Sequence, residues 1–147
     1  MYDKQNNVYD ISIVAQDHDF FHADILTENA LVGQIRWIVS EPHILELADL
    51  VIFEQAIVFR RGCLRYIPFL RQPQQNFRHL GLGTAMLEYV IAQAKELGMK
   101  GIYGEVTHDD ATKTPYLIEW YQRHGFTIGH EPKRLPSAVA TIYREIG

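Results

Sequence analysis

Phe77-Arg78-His79-Leu80-Gly81-Leu82-Gly83-Thr84-Ala85-Met86-Leu87 reads as a glycine-bearing loop that runs straight into an amphipathic helix. Met86, Leu87, Val90, Ile91, Ala94 and Leu97 recur at helical spacing and make one apolar stripe. Lys95 falls in the last turns, and Gly98 follows Leu97 as a left-handed cap. The start of such a helix leaves backbone N–H groups unpaired, with the positive end of the macrodipole behind them. Gly81 and Gly83 remove side chains that would keep a ligand away from those donors. A helix start of this kind can hold a phosphate or pyrophosphate through its backbone.

Arg78-x-x-Gly81-x-Gly83 resembles the acyl-coenzyme A signature of the GCN5-related N-acetyltransferases, the GNAT superfamily, written Gln/Arg-x-x-Gly-x-Gly/Ala. The motif is short, but its context agrees: Phe77 before it, a long helix after it, then a strand and a second helix. That helix ends Tyr121-Gln122-Arg123-His124-Gly125-Phe126, similar to the family's Tyr-x-x-x-Gly-Phe. Together the two motifs cover roughly residues 60 to 130.

The wider sequence sets bounds on this reading. A chain of 147 residues fits one domain, taken as 1–147, and can bury a proper core. With 47% hydrophobic and 22% charged residues it has the composition of an ordinary globular protein. A formal charge of −4 argues against a general nucleic-acid binder. Arginine is nevertheless concentrated at Arg60, Arg61, Arg65, Arg71 and Arg78, before and into the loop. Those side chains make either a solvated basic face or a rim for coenzyme phosphates, whose oxygens the guanidinium fork matches. Cys63 is the only cysteine, which excludes an internal disulfide and suits a reducing compartment. In its apolar run it reads as a small buried residue rather than a nucleophile. Met1 to Asn7 lacks the apolar core of a signal peptide, and no apolar run reaches the length of a membrane span. A cytoplasmic protein without a membrane partner is expected.

Taken in order, Val8 to Val14, Phe20 to Leu26 and Leu31 to Val39 read as strands. Ile44 to Phe53 fits neither period cleanly and is read as a strand; Glu54 to Phe59 either continues it or forms a short helix. Cys63 to Leu70 reads as the strand feeding the loop, through the polar connector Arg71 to Asn76. After the helix Thr84–Leu97 comes a buried strand, Gly101 to Thr107, with His108-Asp109-Asp110 at its end. Thr114 reads as an N-cap and Pro115 as the first residue of a helix running to His124 and stopping at Gly125. Phe126 to His130 and Ala138 to Tyr143 form a final strand pair joined by the loop 131–136. This order predicts an α/β (α+β) fold, a mixed and mostly antiparallel twisted sheet with helices on its faces. The resemblance implies the same fold with one departure. GNAT proteins usually carry two helices between their first and second strands, and the first 55 residues here leave little room for them.

The resemblance also implies a chemistry and assigns residues to it. Backbone groups near Phe69, Leu70 and Arg71 would bind the pantetheine arm of acetyl-coenzyme A, and an N–H near Leu70 could stabilise the oxyanion. Arg78 with His79, Leu80, Gly81, Leu82, Gly83 and Thr84 would hold the pyrophosphate. Tyr121 matches the proton donor to the leaving thiolate, its phenol being a feasible acid at an ordinary pKa of about 10; packing against the sheet is the competing reading. Arg123 matches a basic residue that contacts coenzyme phosphate. Thr114 stands where the family usually has an asparagine, so that contact is altered. The family's general base often sits on the strand before the loop, but Cys63 to Leu70 has no carboxylate. Glu54, Glu105, His108 and Asp109 remain, with Glu105 and His108 preferred, acting directly or through water. Each also fits a plain surface residue. His18-x-x-x-His22 would suit a metal only on a helix and lies in strand-like sequence, so no metal is expected.

The function expected is transfer of an acetyl group from acetyl-coenzyme A to a primary amine, on a small molecule or on a protein or peptide, by a chain that could pair as a homodimer. A non-catalytic coenzyme A-binding or protein-interaction domain of the same fold is the alternative. A dinucleotide-binding oxidoreductase is the more distant one: Gly81-x-Gly83 opens a helix and Glu105 follows about twenty residues on. Met86 at the third glycine position and the long polar connector both count against it.

Overall fold

The computed structural model describes residues 8–17, 19–27, 30–58, 78–130 and 134–147. In chain order these form β1 (Asp10–Gln16), β2 (Phe20–Thr27), β3 (Ala30–Glu41), β4 (Ile44–Val58), α1 (Leu82–Glu96), β5 (Gly101–Thr107), α2 (His108–Lys113), α3 (Leu117–Arg123), β6 (Thr127–Gly129) and β7 (Ala138–Glu145). The seven strands hydrogen-bond in the order β1-β2-β3-β4-β5-β7-β6. The pairs β1–β2, β5–β7 and β6–β7 are antiparallel, and β4–β5 is parallel. This is the mixed, mostly antiparallel sheet that the order of elements implied. A parallel pair needs a crossover, and the connection containing α1 supplies it.

The chain divides into two compact units, Met1–Arg36 with Asp49–Glu88, and Trp37–Ala48 with Tyr89–Gly147. In the first unit, Phe21, Ala23 and Ile25 on β2 are buried while His22 and Asp24 between them are half-buried, the period of a strand with one face inward. Tyr9 just before β1, Leu31, Val32 and Ile35 on β3, and Leu82, Met86 and Leu87 on α1 are also buried. Gly33 is needed for close approach, because a Cβ there would come within 2.8 Å of the Val51 carbonyl oxygen. β1 ends at Gln16 and β2 starts at Phe20, so no helix lies between them. The reduction expected from the strand-rich N-terminal sequence is therefore observed. β4 runs on to Val58, so Glu54 continues the strand rather than beginning a helix. The strand expected over 63–70 and the connector 71–76 lie outside the described residues.

In the second unit, Trp37, Leu45, Leu47, Val90, Ala94, Ile102, Val106, Ala140 and Ile142 are buried. Ile102, Gly104 and Val106 take one face of β5 and Tyr103 and Glu105 the other. Trp37 and Tyr89 meet edge to face, with centroids 6.2 Å apart. Pro42 and His43 close the β3–β4 hairpin, with His43 at φ 69°, the left-handed value that the third residue of a type II turn requires. The His43 carbonyl is in turn taken by the Lys100 N–H at 2.7 Å, just where β5 begins.

Both long crossings end in the same way. After α1, Gly98 sits at φ 68°, its N–H donating to the Lys95 carbonyl at 3.0 Å while Met99 N–H reaches Ala94 at 2.8 Å. After α3, Gly125 sits at φ 79°, its N–H donating to Gln122 at 3.0 Å while Phe126 N–H reaches Tyr121 at 3.1 Å. This doubled bonding is the Schellman stop, in which the glycine supplies the left-handed residue and the next residue folds back on the helix.

The expected helix from Pro115 to His124 is corrected. Thr107 caps a separate helix: its hydroxyl accepts from Asp110 N–H at 3.2 Å, and Asp110 accepts from Thr107 N–H in return. His108, Asp109 and Asp110, which follow the end of β5 as expected, thus form the first turn of α2. Thr114 closes that helix, its N–H donating to the Asp110 carbonyl at 2.9 Å, and is not an N-cap. Pro115 disfavours helical backbone at the residue before it, and Thr114 lies at φ −134° and ψ 79°. The proline marks a break, and α3 starts only at Leu117.

Gly98→Ala tests the left-handed stop, because a Cβ there meets nothing within 4 Å and only the backbone can object. Chemical denaturation should read a loss of about 1 kcal/mol, and Gly98→Asn should lose less, since asparagine tolerates this region better.

Candidate active site

The first unit holds the glycine loop. His79 has φ 67° and Gly81 has φ 87°, with Leu80 between them at negative φ. Alternation of hand along a short run turns successive N–H groups toward one side, the backbone arrangement of an anion-binding nest. Ala85 N–H makes the first helical bond of α1, to the Gly81 carbonyl at 3.0 Å. The amides of Leu82, Gly83 and Thr84 therefore precede the helical ladder. No acidic residue stands in the first turn of α1, so no carboxylate within that turn opposes an anion at the positive helix end. Met86 and Leu87 are fully buried and fix the helix in place behind that turn.

Arg78 faces β4. Its Nη1 lies 2.9 Å from Glu54 Oε1, and its Nε donates to the Ile52 carbonyl at 3.4 Å. The expected phosphate-facing arginine thus has two partners on the strand, and Glu54, one of the carboxylates weighed as a base, is its counter-ion. Phe69, Leu70 and Arg71, with Arg60, Arg61, Arg65 and Cys63, lie outside the described residues. So does His18; His22 lies on β2, with Nε2 3.0 Å from Asp24 Oδ1.

The second unit holds the residues expected to do chemistry. Tyr121 is buried on α3, and its ring packs edge to face on Trp120 and on Phe126, with centroids 4.8 Å and 5.4 Å away. The Phe126 contact is the hydrophobic closure of the Schellman stop, which gives Tyr-x-x-x-Gly-Phe a structural meaning: the tyrosine and phenylalanine clasp across the left-handed glycine. Arg123, in the last turn of α3, is exposed and turns its Nε back to the Glu119 carbonyl at 3.4 Å. His108 is exposed at the start of α2, where its backbone N–H donates to the Ser137 carbonyl at 2.9 Å.

Glu105 has a different environment from that of a poised base. Its Oε1 accepts from the Tyr103 hydroxyl and from Arg134 N–H, each at 2.5 Å, and its Oε2 accepts from Leu135 N–H at 2.8 Å. Burial pushes the carboxyl up, but the Arg134 N–H, the Tyr103 hydroxyl, the Leu135 N–H and the Arg134 charge together hold it below its ordinary value. Burial first, then the bond to Glu105 and its charge, push the Tyr103 phenol up to about 12. Arg134, Glu41 and Glu46, which complete this cluster, did not emerge from the sequence. Arg134 lies 93 and 88 positions from those two partners, and no periodicity reports a pairing at that range. The capping pair Thr107 and Asp110, by contrast, was available as a Thr-x-x-Asp pattern at the end of an apolar strand.

The profile of the Acetyltransferase (GNAT) family matches residues 2–126. No curated protein matches the sequence. Among solved structures, a Klebsiella pneumoniae protein assigned as an acyl-CoA N-acyltransferase is similar with TM-score 0.67 at 14% identity, over 97% of this chain and all of the other. A GNAT family acetyltransferase from Elizabethkingia anophelis, with acetyl-CoA bound, gives TM-score 0.58 at 15% identity over 86% and 76%. The PaiA N-acetyltransferase of Thermoplasma acidophilum, in complex with coenzyme A, gives TM-score 0.58 at 14% identity; the match covers 86% of this chain and 61% of that protein's length. At such identities the structural likeness speaks to the fold. With a profile spanning both the glycine loop and the Tyr-x-x-x-Gly-Phe stop, the chain belongs to the GNAT acetyltransferase family.

Proposed function

We propose that this chain, acting as one domain over 1–147, transfers an acetyl group from acetyl-coenzyme A to a primary amine. The observation that carries the reading is the turn 78–84: alternating backbone hand at His79 and Gly81, amides ahead of the α1 ladder, and no competing carboxylate in the first turn. Those amides would bind the pyrophosphate of the coenzyme. Coenzyme A and acetyl-coenzyme A in the Thermoplasma and Elizabethkingia proteins support that assignment. Family membership over residues 2–126 supports the reaction class.

The chemistry follows from what a thioester requires. The neutral amine attacks the acetyl carbonyl carbon, a tetrahedral oxyanion forms, and the carbon–sulfur bond breaks to give an amide and a thiolate. The nitrogen gives up its extra proton, and the thiolate takes one from the Tyr121 hydroxyl. Much of the rate comes from holding the amine beside the thioester. Ionised, below its ordinary pKa and already accepting three hydrogen bonds, Glu105 is a weak proton acceptor. We therefore assign the amine's proton to water or to the exposed His108 rather than to Glu105. The connection from β6 to β7 and strand β7 would line the acceptor side. The acceptor is an amine on a small molecule or on a protein; the Escherichia coli member that acetylates an alanine of ribosomal protein S18 exemplifies the protein class.

One observation favours a second reading, a coenzyme A-binding domain without turnover. Two carboxylates considered as bases are committed, Glu54 to Arg78 and Glu105 to Tyr103, Arg134 and Leu135. Thiol release from acetyl-coenzyme A across a panel of amines separates the two. Release that depends on one amine supports the enzyme, and a thermal shift by coenzyme A without release supports the binding domain. Nicotinamide nucleotides should give no shift, because Met86, fully buried at the third glycine position, blocks the close packing a dinucleotide fold needs there.

Gly83→Asp separates folding from binding. Replacing a helical glycine and adding a negative charge at the helix start should raise stability by roughly 0.5–1 kcal/mol. The same charge should weaken coenzyme A binding about tenfold or more by opposing the pyrophosphate; isothermal titration that finds unchanged affinity would remove residues 81–84 from the site. Tyr121→Phe keeps the ring clasp on Phe126 and removes the hydroxyl. Steady-state rates should show kcat reduced about 10²-fold, with the KM for acetyl-coenzyme A nearly unchanged. An undiminished kcat would return Tyr121 to a packing role alone.

A further inference from the structure

Residue 134 is held in the second unit by both its backbone and its side chain. Its guanidinium lies 2.7 Å from Glu46 Oε2 through Nη1 and 2.7 Å from Glu41 Oε1 through Nη2, with Cζ 5.0 Å from the centroid of the Tyr103 ring. Its own N–H and that of Leu135 both donate to Glu105, which also accepts from the Tyr103 hydroxyl. Two residues on, the Ser137 carbonyl accepts from His108 N–H, and Ala138 N–H closes back on the Leu135 carbonyl at 3.0 Å. A single exposed ion pair does little. Here one guanidinium fork is shared by two carboxylates from the two sides of the β3–β4 turn, and one carboxylate on β5 collects two successive backbone N–H groups. Both halves of the clasp fall on the same short stretch.

We propose that Glu105 and Arg134 are reciprocal positioning residues: with Glu41, Glu46 and Tyr103 they fasten Arg134–Ser137 to the strands and so fix the wall against which the acceptor amine is placed. This rests on the acetyltransferase reading, in which the β6–β7 connection lines the acceptor side. Glu105 is held ionised below the ordinary carboxylate range, which suits an acceptor of backbone N–H groups and not a proton carrier. Its contribution to the clasp is present above the ordinary carboxylate pKa and is lost as pH falls through the lowered value.

Two readouts on the full chain test it, one of them independent of activity. Trypsin can cut after Arg134, and Glu105→Gln replaces one acceptor oxygen with a donor that faces other donors. Mass spectrometry of limited digests should find cleavage at Arg134–Leu135 about tenfold faster in E105Q than in the unmodified chain, because proteolysis follows the population of the opened segment. Cleavage after Arg123 should be unchanged. Glu46→Gln, at the other end of the clasp, should move the same cleavage in the same direction and serves if E105Q does not fold. In steady-state assays E105Q should raise the KM for the acceptor about fivefold and leave kcat and the KM for acetyl-coenzyme A nearly as they were. Equal cleavage in both variants and the unmodified chain overturns the clasp. A fall in kcat at constant acceptor KM overturns the positioning role and makes Glu105 a base. If the unmodified chain releases no thiol with any amine, the acetyltransferase reading and the acceptor role fail together, and the cleavage rates alone decide whether the clasp exists.

Discussion

The parallel register of β4 on β5, from Ile44↔Gly101 to Leu47↔Gly104, is the constraint on which the remaining architecture depends. Two strands running the same way cannot be joined by a turn, so the chain must leave β4, cross, and return. The return is made through α1. A helix start leaves its first N–H groups outside the helical ladder, and a turn leading closely into it tolerates few side chains. His79 and Gly81 take left-handed values just ahead of α1. Glycine takes such a value without cost, whereas His79 carries it with a Cβ, a strain of about 1 kcal/mol or more that the surrounding turn has to offset.

What could be read from the sequence divides by range. The α1 stripe, the stop at Gly98, the stop at Gly125 and the bounds of β5 are all local patterns, and all appear within a residue or two of where the periodicity puts them. Ile44 to Phe53 was ambiguous because Leu45 and Leu47 are buried, whereas Leu50, Val51, Ile52 and Phe53 are all half-buried, so neither a two-fold nor a 3.6-fold period emerges. The helix expected at Pro115 failed for a different reason. Proline favours the first turn of a helix and also forbids helical backbone just before it. Both rules applied to Thr114-Pro115, and the deciding factor was a capping box seven residues upstream that had already begun a helix. Local signals compete, and the earlier, doubly bonded cap won.

The candidate site follows the same division. The turn into α1 is legible because its signature is contiguous and its backbone values are set locally. Arg78 was legible as a member of the motif but not in its contacts, since Glu54 and Ile52 are 24 and 26 positions away. Glu105 was singled out from its place on a strand, which was sound, but the role depends on what surrounds it. Only the fold brings Arg134 and Leu135 back onto that carboxylate. Sequence position singles out the residue, and its hydrogen-bond partners come only from the fold.

Tyr121 brings the structural and the chemical readings onto one side chain. Its ring is required by the clasp across Gly125, because the residue after a left-handed stop packs on the residue three before the cap, and here those are Phe126 and Tyr121. Phenylalanine at 121 would keep those ring contacts, whereas leucine would lose the edge-to-face geometry. The hydroxyl is what distinguishes tyrosine from phenylalanine there, so packing and proton transfer are separable on one side chain. In the proposed reaction, ring contacts on two sides would hold the phenol that gives the thiolate its proton. The packing that makes the residue look merely structural would thereby be what keeps its hydroxyl aimed.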